Sequence, residues 1–454
     1  MNEQPATDSG RQLGAFDIGC VVIGGIIGVG IFFTPSKVAA VVGSSTQALA
    51  AWSIGGFLAV LGALVFADLS RRVPGHGGTF IYIHEAFGSA LAFLYGWANW
   101  LIIQSGALGV IGLIMVDYAD QLVYGEPTTS MATKIVITVV AIAFFTILNL
   151  LGLRVGKRVQ NGLTVAKTLA VFSIVLLAVI TTGGAAAEVA AVAQPSKGWL
   201  EAMAAAMLPV LFSFGGWQQG SFLAGAARRP LRDVPLGIIC GVLVVVLAYL
   251  SVNFAFLHLL GLEGAARSKT IAVDATEIAL APYGMGDIAG RVLGAMVVLS
   301  CLGIMNTILM APPYVLHEMS QRGLFFASMG RLHPRHASPT TSILIQGVWA
   351  SILLVGAWLL LGGTPTDTLG FLLDGVVFVD WLFFALCGLA LLRLQRRGGD
   401  AARGFSVVAG LFALGALAVM VGAVWTKPIP SLVGLALTAA GLLLYAWFRQ
   451  GRAA

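Results

Sequence analysis

Gly24-Gly25-Ile26-Ile27-Gly28-Val29-Gly30-Ile31-Phe32-Phe33-Thr34-Pro35 is a glycine-rich stretch inside the first long apolar segment, residues 14–42. Each glycine in a helix interior costs about 1 kcal/mol relative to alanine, so this density disfavours an unbroken helix. Backbone groups freed inside lipid have no water to bond, so a break is tolerated where it lines a polar cavity or meets a ligand. The stretch therefore predicts a broken helix at a binding site.

A second break is predicted at residues 211–217, Leu-Phe-Ser-Phe-Gly-Gly-Trp, within another apolar segment. Interrupted helices at matching positions of two halves are typical of the binding site in a secondary transporter. Glycine supplies 57 of the 454 residues, so single Gly-Gly pairs also arise from composition alone. The density of glycine in residues 24–30, together with the five-span offset between the breaks, carries the hypothesis.

Composition places the chain in a membrane. It is 58% hydrophobic and 10% charged, whereas soluble proteins carry about 25% charged residues. A helix needs about 20 apolar residues to cross the hydrocarbon core. Segments of about that length or longer predict twelve spans, at residues 14–42, 46–70, 89–117, 131–151, 158–182, 201–225, 235–261, 288–312, 341–361, 368–392, 404–425 and 430–448.

The basic residues orient these spans. With the N-terminus inside, most of the lysines and arginines fall in the internal connections, as the positive-inside rule requires. We therefore expect a multi-pass protein of the cell inner (cytoplasmic) membrane with both termini in the cytoplasm. Ten spans pair as two inverted sets of five, residues 14–392. They follow a short cytoplasmic segment, 1–13, and precede two accessory spans and the C-terminus, 393–454.

The chemistry of the breaks points to one class of ligand. A half-helix N-terminus has free N–H groups and suits a carboxylate, whereas a C-terminus has free carbonyls and suits an ammonium. A free amino acid carries both groups on one carbon. The predicted substrate-binding residues are Ile26, Ile27, Gly28, Val29, Gly30, Phe212, Ser213, Phe214, Gly215 and Gly216. Phe212 and Trp217 flank the second break as candidate gates or as packing residues.

Lys167 lies about nine residues into its span, too deep for easy snorkelling. A lysine at that depth costs about 2.5–3.5 kcal/mol to insert and is a functional candidate by default. Its ammonium is predicted to brace the broken first helix in place of a bound cation, or to titrate and couple transport to protons. Asp374 and Asp380 lie six residues apart in span ten and face different directions, so one of them pairs or faces water.

Other chemistries lack a pattern in this sequence. Cys20, Cys240, Cys301 and Cys387 each fall in an apolar segment without metal-ligand spacing, and the six histidines form no such cluster with acids. We therefore expect no metal, no cofactor and no catalytic residue, and the chain is not predicted to be an enzyme. The net charge of +6 follows from membrane orientation, so no nucleic-acid partner is expected. The lipid bilayer and a small amino acid are the expected partners.

Several motifs resemble the amino acid–polyamine–organocation (APC) superfamily over nearly the whole chain. Residues 28–35, Gly-Val-Gly-Ile-Phe-Phe-Thr-Pro, resemble its GxGIFxxP motif, and residues 212–217 resemble its FAYGGW stretch. Residues 158–167 are similar to its RVQ…AAK segment, and residues 299–301 and 319–323 to its eighth-helix region. The resemblance is strongest to the L-type amino acid transporter family and its bacterial alanine–serine–cysteine exchanger relatives.

The resemblance implies a LeuT-like inverted repeat of five plus five helices, with helices 1 and 6 broken, in an all-α protein of twelve transmembrane helices. It implies sodium-independent exchange or facilitated transport of neutral amino acids, with Lys167 in the place of a sodium site. The glutamates that follow the second break in the family are replaced by residues 223–226, and Tyr314 replaces an arginine. No cysteine lies in loop 119–132, so no covalent heavy-chain partner is expected.

Substrate choice depends on the cavity wall. The wall predicted from Phe212, Gly215, Gly216 and residues 104–109 has no charge, which favours neutral L-amino acids because a buried unpaired charge costs several kcal/mol. A carboxylate near residues 213–216 would instead favour a cationic amino acid, a polyamine or ethanolamine. A membrane enzyme or sensor is the third alternative, and it would need a cluster of histidines or acids at one depth.

Overall fold

Helices make up most of the computed structural model, which describes residues 12–124, 128–180, 198–336, 338–360, 365–398 and 403–450. Within these ranges the β-structure is one isolated bridge between Leu13 and Ala227. The α-helices, numbered in chain order, are α1 Ala15–Ile26, α2 Val29–Val41, α3 Ser45–Arg72, α4 Thr79–Phe87, α5 Ser89–Ala98, α6 Ser105–Tyr124, α7 Met131–Leu150, α8 Leu153–Ile180, α9 Trp199–Phe214, α10 Gln219–Phe222, α11 Pro230–Arg267, α12 Ile271–Leu280, α13 Gly286–Met310, α14 Pro313–Gln321, α15 Thr340–Leu360, α16 Pro365–Gly398, α17 Arg403–Thr426 and α18 Pro428–Gln450.

Twelve of these units are long and apolar enough to span a membrane, if the bent pair of α1 and α2 counts as one. The prediction of an all-α membrane protein with twelve spans is confirmed. Four spans are composite: α1 with α2, α5 with α6, α9 with α10, and α13 with α14. Helices α4 and α12 are too short to cross and connect the spans.

Span boundaries differ from the sequence prediction where composite helices continue past polar or proline residues. The third span runs to Tyr124 rather than to residue 117, and a π-helical segment, Asn99–Gln104, joins its two halves. The eighth continues to Gln321 rather than ending at residue 312, because Pro313 starts a new helix at a position where its missing N–H is not needed.

The two broken spans lie at the centre of the bundle. Helix α1 packs against α8, α11 and α13, and α2 packs against α9 and α11. Next to their crossing, the rings of Trp52, Phe214 and Tyr249 form one cluster, with centroids 5.1–5.8 Å apart. Aromatic pairs at this spacing add packing energy beyond area burial. The breaks therefore lie inside the protein and away from the lipid-facing surface.

Candidate functional site

The first helix break is two residues long. Helix α1 ends at Ile26, Ile27 takes an extended ψ of 101°, and Gly28 (φ −148°, ψ −147°) precedes the start of α2. The two halves are bent by 42° relative to each other. The end of α1 presents carbonyl groups, and the start of α2 presents N–H groups, that have no partner within their own helix. These ends carry the pair of partial charges that the sequence predicts.

Side chains from three other spans bond the carbonyls at the end of α1. The Nζ atom of Lys167 on α8 donates to the carbonyl oxygen of Gly24 at 2.7 Å. The hydroxyl of Tyr249 on α11 donates to the carbonyl oxygen of Ile26 at 2.8 Å. The Ser300 hydroxyl on α13 donates to the carbonyl of Ile27 at 3.3 Å. The partially negative end of the half-helix is therefore stabilised by donors from α8, α11 and α13.

Lys167 is 1% exposed. Among the described residues, the ionisable groups beside its ammonium are the thiols of Cys20 and Cys301, and no carboxylate forms an ion pair with it. A buried ammonium without a counter-ion is costly unless dipoles solvate it, and the carbonyl end of α1 supplies such a dipole. This geometry is the one that a bracing role requires. The role of Lys167 in transport stays a prediction.

The second break crosses the first in direct contact. Helix α9 ends at Phe214, and Gly216 has a φ of +127°, a conformation that favours glycine. A Cβ atom on Gly216 would lie 2.6 Å from the carbonyl oxygen of Gly25. The hydroxyls of Thr34 and Ser213 lie 2.6 Å apart across the crossing. The two breaks therefore form one structural unit.

Two glycines of the first broken span lie close to neighbouring spans. A Cβ on Gly28 would lie 1.6 Å from Cδ1 of Ile304, and one on Gly30 would lie 2.8 Å from Cα of Ser213. The sequence analysis attributed these glycines to the close approach of a ligand to the backbone. Neighbouring spans fill at least part of it.

A cavity of about 90 Å³ lies against the crossing. Six of the ten predicted binding residues line it: Ile26, Gly30, Phe212, Ser213, Gly215 and Gly216. Ile27, Gly28 and Phe214 are buried and are not part of the lining. The side chain of Val29 lies outside the described residues. The structure thus brings residues that flank the first break and residues of the second break to one cavity.

The two candidate gates occupy different environments. Phe212 lines the cavity, whereas Trp217 is fully buried outside its lining and packs against Trp381, Phe384 and Phe412. Trp381 and Phe384 do line the cavity, so Trp217 lies behind its aromatic wall. Gating by either residue stays a prediction.

Polar residues also line the cavity, and of these the sequence analysis assigned Gln104 to the wall but not Gln218, Gln219 or Asp380. Gln104 reaches it from the end of the π-helical segment, a feature that occurs frequently at functional sites. Gln218 and Gln219 follow the second break, and Asp380 comes from α16. Asp380 corrects the expectation of an uncharged cavity, because the rotation of α16 turns this carboxylate inward. The side chain of Asp374 lies outside the described residues.

Backbone hydrogen bonds join the segment before α1 to the segment that follows the second break. The N–H groups of Gln12 and Leu13 donate to the carbonyl oxygen of Ala226 at 2.9 and 3.0 Å. The N–H of Arg228 donates to the carbonyl oxygen of Leu13 at 2.8 Å. Lys157 on α8 donates to the carbonyl of Gln12 at 2.8 Å. The segment before α1 is thereby joined to the segment after the second break.

An aromatic stack lies beside these backbone hydrogen bonds. His76, in the connection between α3 and α4, stacks on Tyr314 with ring centroids 4.7 Å apart and planes 18° from parallel. A Cβ on Gly225 would lie 2.4 Å from the His76 ring. Residues 223–226 and Tyr314 are the positions where the sequence departs from the APC pattern of acids and arginine. A neutral stack therefore occupies this position.

Burial lowers the pKa of His76 to about 4, and the neighbouring His317 adds repulsion in the same direction. Between pH 6.5 and 4 the unfolded chain binds a proton at His76 that the folded chain excludes. The contribution of His76 to stability is therefore present above pH 6.5 and is lost as pH falls through that window, at up to about 1.4 kcal/mol per pH unit.

We expect thermal unfolding in detergent to show this loss for the wild-type protein between pH 6.5 and 4. His76→Phe keeps an aromatic ring on Tyr314 but removes the titrating group, so its melting temperature should fall less over the same window. Parallel pH profiles for the two proteins would contradict this assignment.

Comparison with known proteins gives the family. The amino acid permease model matches residues 13–446, nearly the whole chain. The chain belongs to the amino acid permease family. It is therefore a transporter rather than an enzyme. The described residues contain no group of three or more His, Cys, Asp or Glu residues that could hold a metal ion.

Relatives of this permease differ in the substrates that their names give. The serine/threonine exchanger SteT of Bacillus subtilis is 28% identical over 399 residues, which cover 87% of this chain and 86% of that protein. The human cystine/glutamate transporter is 26% identical over 442 residues, 94% of this chain and 83% of its own. The human large neutral amino acids transporter small subunit 2 is 23% identical over 455 residues, 96% and 80% of the two chains. The family establishes amino acid transport and leaves the substrate open.

Proposed function

We propose that this permease exchanges neutral L-amino acids across the cytoplasmic membrane without sodium, with both termini in the cytoplasm. The observation that carries the proposal is the crossing of two broken helices at one cavity, with Lys167 bonded to the carbonyl end of the first. The ammonium lies where a coupling cation would otherwise neutralise the end of α1.

The headgroup of an amino acid fits the partial charges of the crossing. Free N–H groups at the start of α2 suit the α-carboxylate, and the carbonyls around Gly25 and Ile26 suit the α-ammonium. This recognition uses backbone dipoles and is shared by every α-amino acid. Selection among amino acids then depends on the side chains that line the rest of the cavity.

The cavity favours small substrates. At about 90 Å³ it is smaller than the cavity of about 150 Å³ that holds benzene, so it suits alanine, serine or threonine better than larger amino acids. Ile103, Ala107, Ile111 and Ile304 form much of its apolar surface. A long cationic side chain would need the wall to move.

Asp380 favours a second candidate function. A carboxylate in the wall could bind the charged end of a cationic amino acid or a polyamine, since charge-assisted hydrogen bonds of this type are strong. This candidate differs from the first in a direct way: it requires cationic compounds to bind better than neutral ones.

Competition against a labelled neutral substrate separates the two candidates. In sodium-free proteoliposomes preloaded with unlabelled amino acid, we expect L-alanine, L-serine and L-threonine to compete. Lysine, arginine, aspartate and glutamate should be at least about tenfold weaker, equivalent to 1.4 kcal/mol. Stronger competition by arginine or a polyamine would replace the neutral-substrate proposal with the cationic one. A requirement for sodium would contradict the proposed role of Lys167.

A further inference from the structure

The carboxylate of Asp380 is not part of the proposed headgroup site, which consists of backbone N–H and carbonyl groups. It lines the cavity beside the second break and is partly exposed to it. Its Oδ1 atom is nevertheless buried and has no hydrogen-bond partner among the residues that the structure describes. Its Oδ2 atom accepts one long bond, 3.4 Å, from Nε2 of Gln218. One face of the carboxylate is therefore unsatisfied.

The described surroundings of Asp380 provide no positive charge. The titratable groups that interact with it are the phenol of Tyr95 on α5 and the thiol of Cys387 on its own helix. From α9 and the segment after it come the neutral groups of Ser213, Gly216 and Gln218. In the part of the chain that the structure describes, no lysine, arginine or histidine forms an ion pair with it, and Lys167 donates to α1 instead.

Such a carboxylate needs a proton or a cation. Leaving an ionised carboxylate buried without a partner costs several kcal/mol, so the group binds whichever neutralising partner the cavity offers. A neutral amino acid brings no side-chain cation, and its ammonium fits the carbonyl end of α1. A proton on Oδ1 both removes the charge and turns the unsatisfied atom into a hydrogen-bond donor.

A chain of hydrogen bonds connects this carboxyl group to the substrate site. The N–H of Gly216 donates to Oε1 of Gln218 at 3.1 Å, and Nε2 of the same amide donates to Asp380. An ionised Asp380 would place a negative charge in the cavity that receives the substrate carboxylate. Protonation removes that repulsion, so proton binding and substrate binding favour each other by equal amounts.

We propose that Asp380 binds a proton that is carried together with the neutral amino acid, so that net uptake is coupled to the proton gradient. The inference rests on the proposed function, because it requires a neutral substrate. In each cycle Oδ1 takes a proton from the side on which substrate enters and releases it on the other side. No other bond forms or breaks, and exchange of one loaded substrate for another moves no net proton.

Proteoliposomes with an imposed pH gradient test this inference. With the acidic side at the site of substrate entry and no internal substrate, wild-type protein should accumulate labelled L-serine. A gradient of one pH unit supports about tenfold accumulation for one proton per substrate. Asp380→Asn should only equilibrate the label, and counterflow into vesicles that contain unlabelled L-serine measures whether the variant still transports.

Asp117→Asn is the matched control, since it neutralises a half-exposed carboxylate that pairs with Lys134 away from the cavity. This variant should accumulate L-serine as the wild type does. If Asp380→Asn shows no counterflow, proton uptake from a weakly buffered solution on adding L-serine to wild-type protein gives a second measurement. The protein should take up about one proton per bound substrate at a pH where Asp380 is ionised in the substrate-free protein.

Each result has a distinct meaning. Exchange of L-serine without accumulation by the wild type, or accumulation by Asp380→Asn, would overturn proton coupling and leave the proposed exchange intact. If uptake of lysine or arginine depends on Asp380, proton coupling is overturned and Asp380 is part of a binding site for a cationic side chain. Failure of wild-type protein to exchange any neutral amino acid would overturn the proposed function itself, and this inference with it.

Discussion

Lys167→Met is expected to slow net transport by at least about tenfold. Methionine keeps much of the side-chain volume but removes the donor to the Gly24 carbonyl. An unsatisfied buried carbonyl costs about 1–3 kcal/mol, and 1.4 kcal/mol is a factor of ten in rate. The penalty is largest for the empty carrier, in which no substrate ammonium lies near the end of α1. Net uptake should therefore fall more than exchange.

The measurement compares zero-trans uptake with counterflow exchange in the same proteoliposomes. Lys167→Arg keeps a permanent charge and its donors, so it should retain more net transport than Lys167→Met. Lys134→Met, a change at a lysine that pairs with Asp117, serves as the matched control for losing an ammonium elsewhere. Unchanged rates in both assays for Lys167→Met would remove this residue from the mechanism.

Gly28→Val is expected to abolish substrate binding, and a second substitution can show why. The added side chain would collide with Ile304, whose Cδ1 atom would lie 1.6 Å from a Cβ at position 28. Overpacking of this kind typically costs 1–3 kcal/mol. Gly28→Val combined with Ile304→Ala removes the collision. If the backbone at the break must also approach the ligand, the double variant should regain thermal stability but not affinity, which should stay at least about tenfold weaker.

Thermal unfolding with and without L-serine measures both quantities, and Ile304→Ala alone reports the effect of the smaller side chain. Wild-type affinity in the double variant would show that Gly28 serves packing with α13 alone. The substrate would then contact the first broken span at Gly25, Ile26 or Gly30, which line the cavity.

Apolar length predicted the fold because each span must satisfy its own backbone in lipid. Both breaks could also be predicted, because glycines at 24–30 and 215–216 lower helix propensity within otherwise apolar segments. The composite spans were harder to predict. Hydropathy does not distinguish the π-helical segment at Asn99–Gln104 from an α-helix, and Pro313 is equally compatible with the end of one helix and the start of the next.

The side chains that complete the site were mostly beyond sequence reasoning. Lys167 was found because an ammonium in mid-span is costly. Tyr249 left a weaker signal, since tyrosine in spans prefers the membrane interface and this one lies near the middle of α11. The rotation of each helix decides whether Asp380 faces the cavity or a neighbouring span, and helix packing determines that rotation. The same limit applies to Gln218, whose position depends on the turn after Gly216.

Tyr249 has a mechanical consequence for the transport cycle. Its hydroxyl lies 2.8 Å from the carbonyl oxygen of Ile26 and 3.2 Å from that of Ser213, so one side chain on α11 joins both breaks. We expect α1, α9 and α11 to move as one rigid body, while the bonds from Lys167 and Ser300 on α8 and α13 break and re-form. A pair of spin labels within the first group should keep its distance through the cycle, and a pair between α1 and α8 should show two distances.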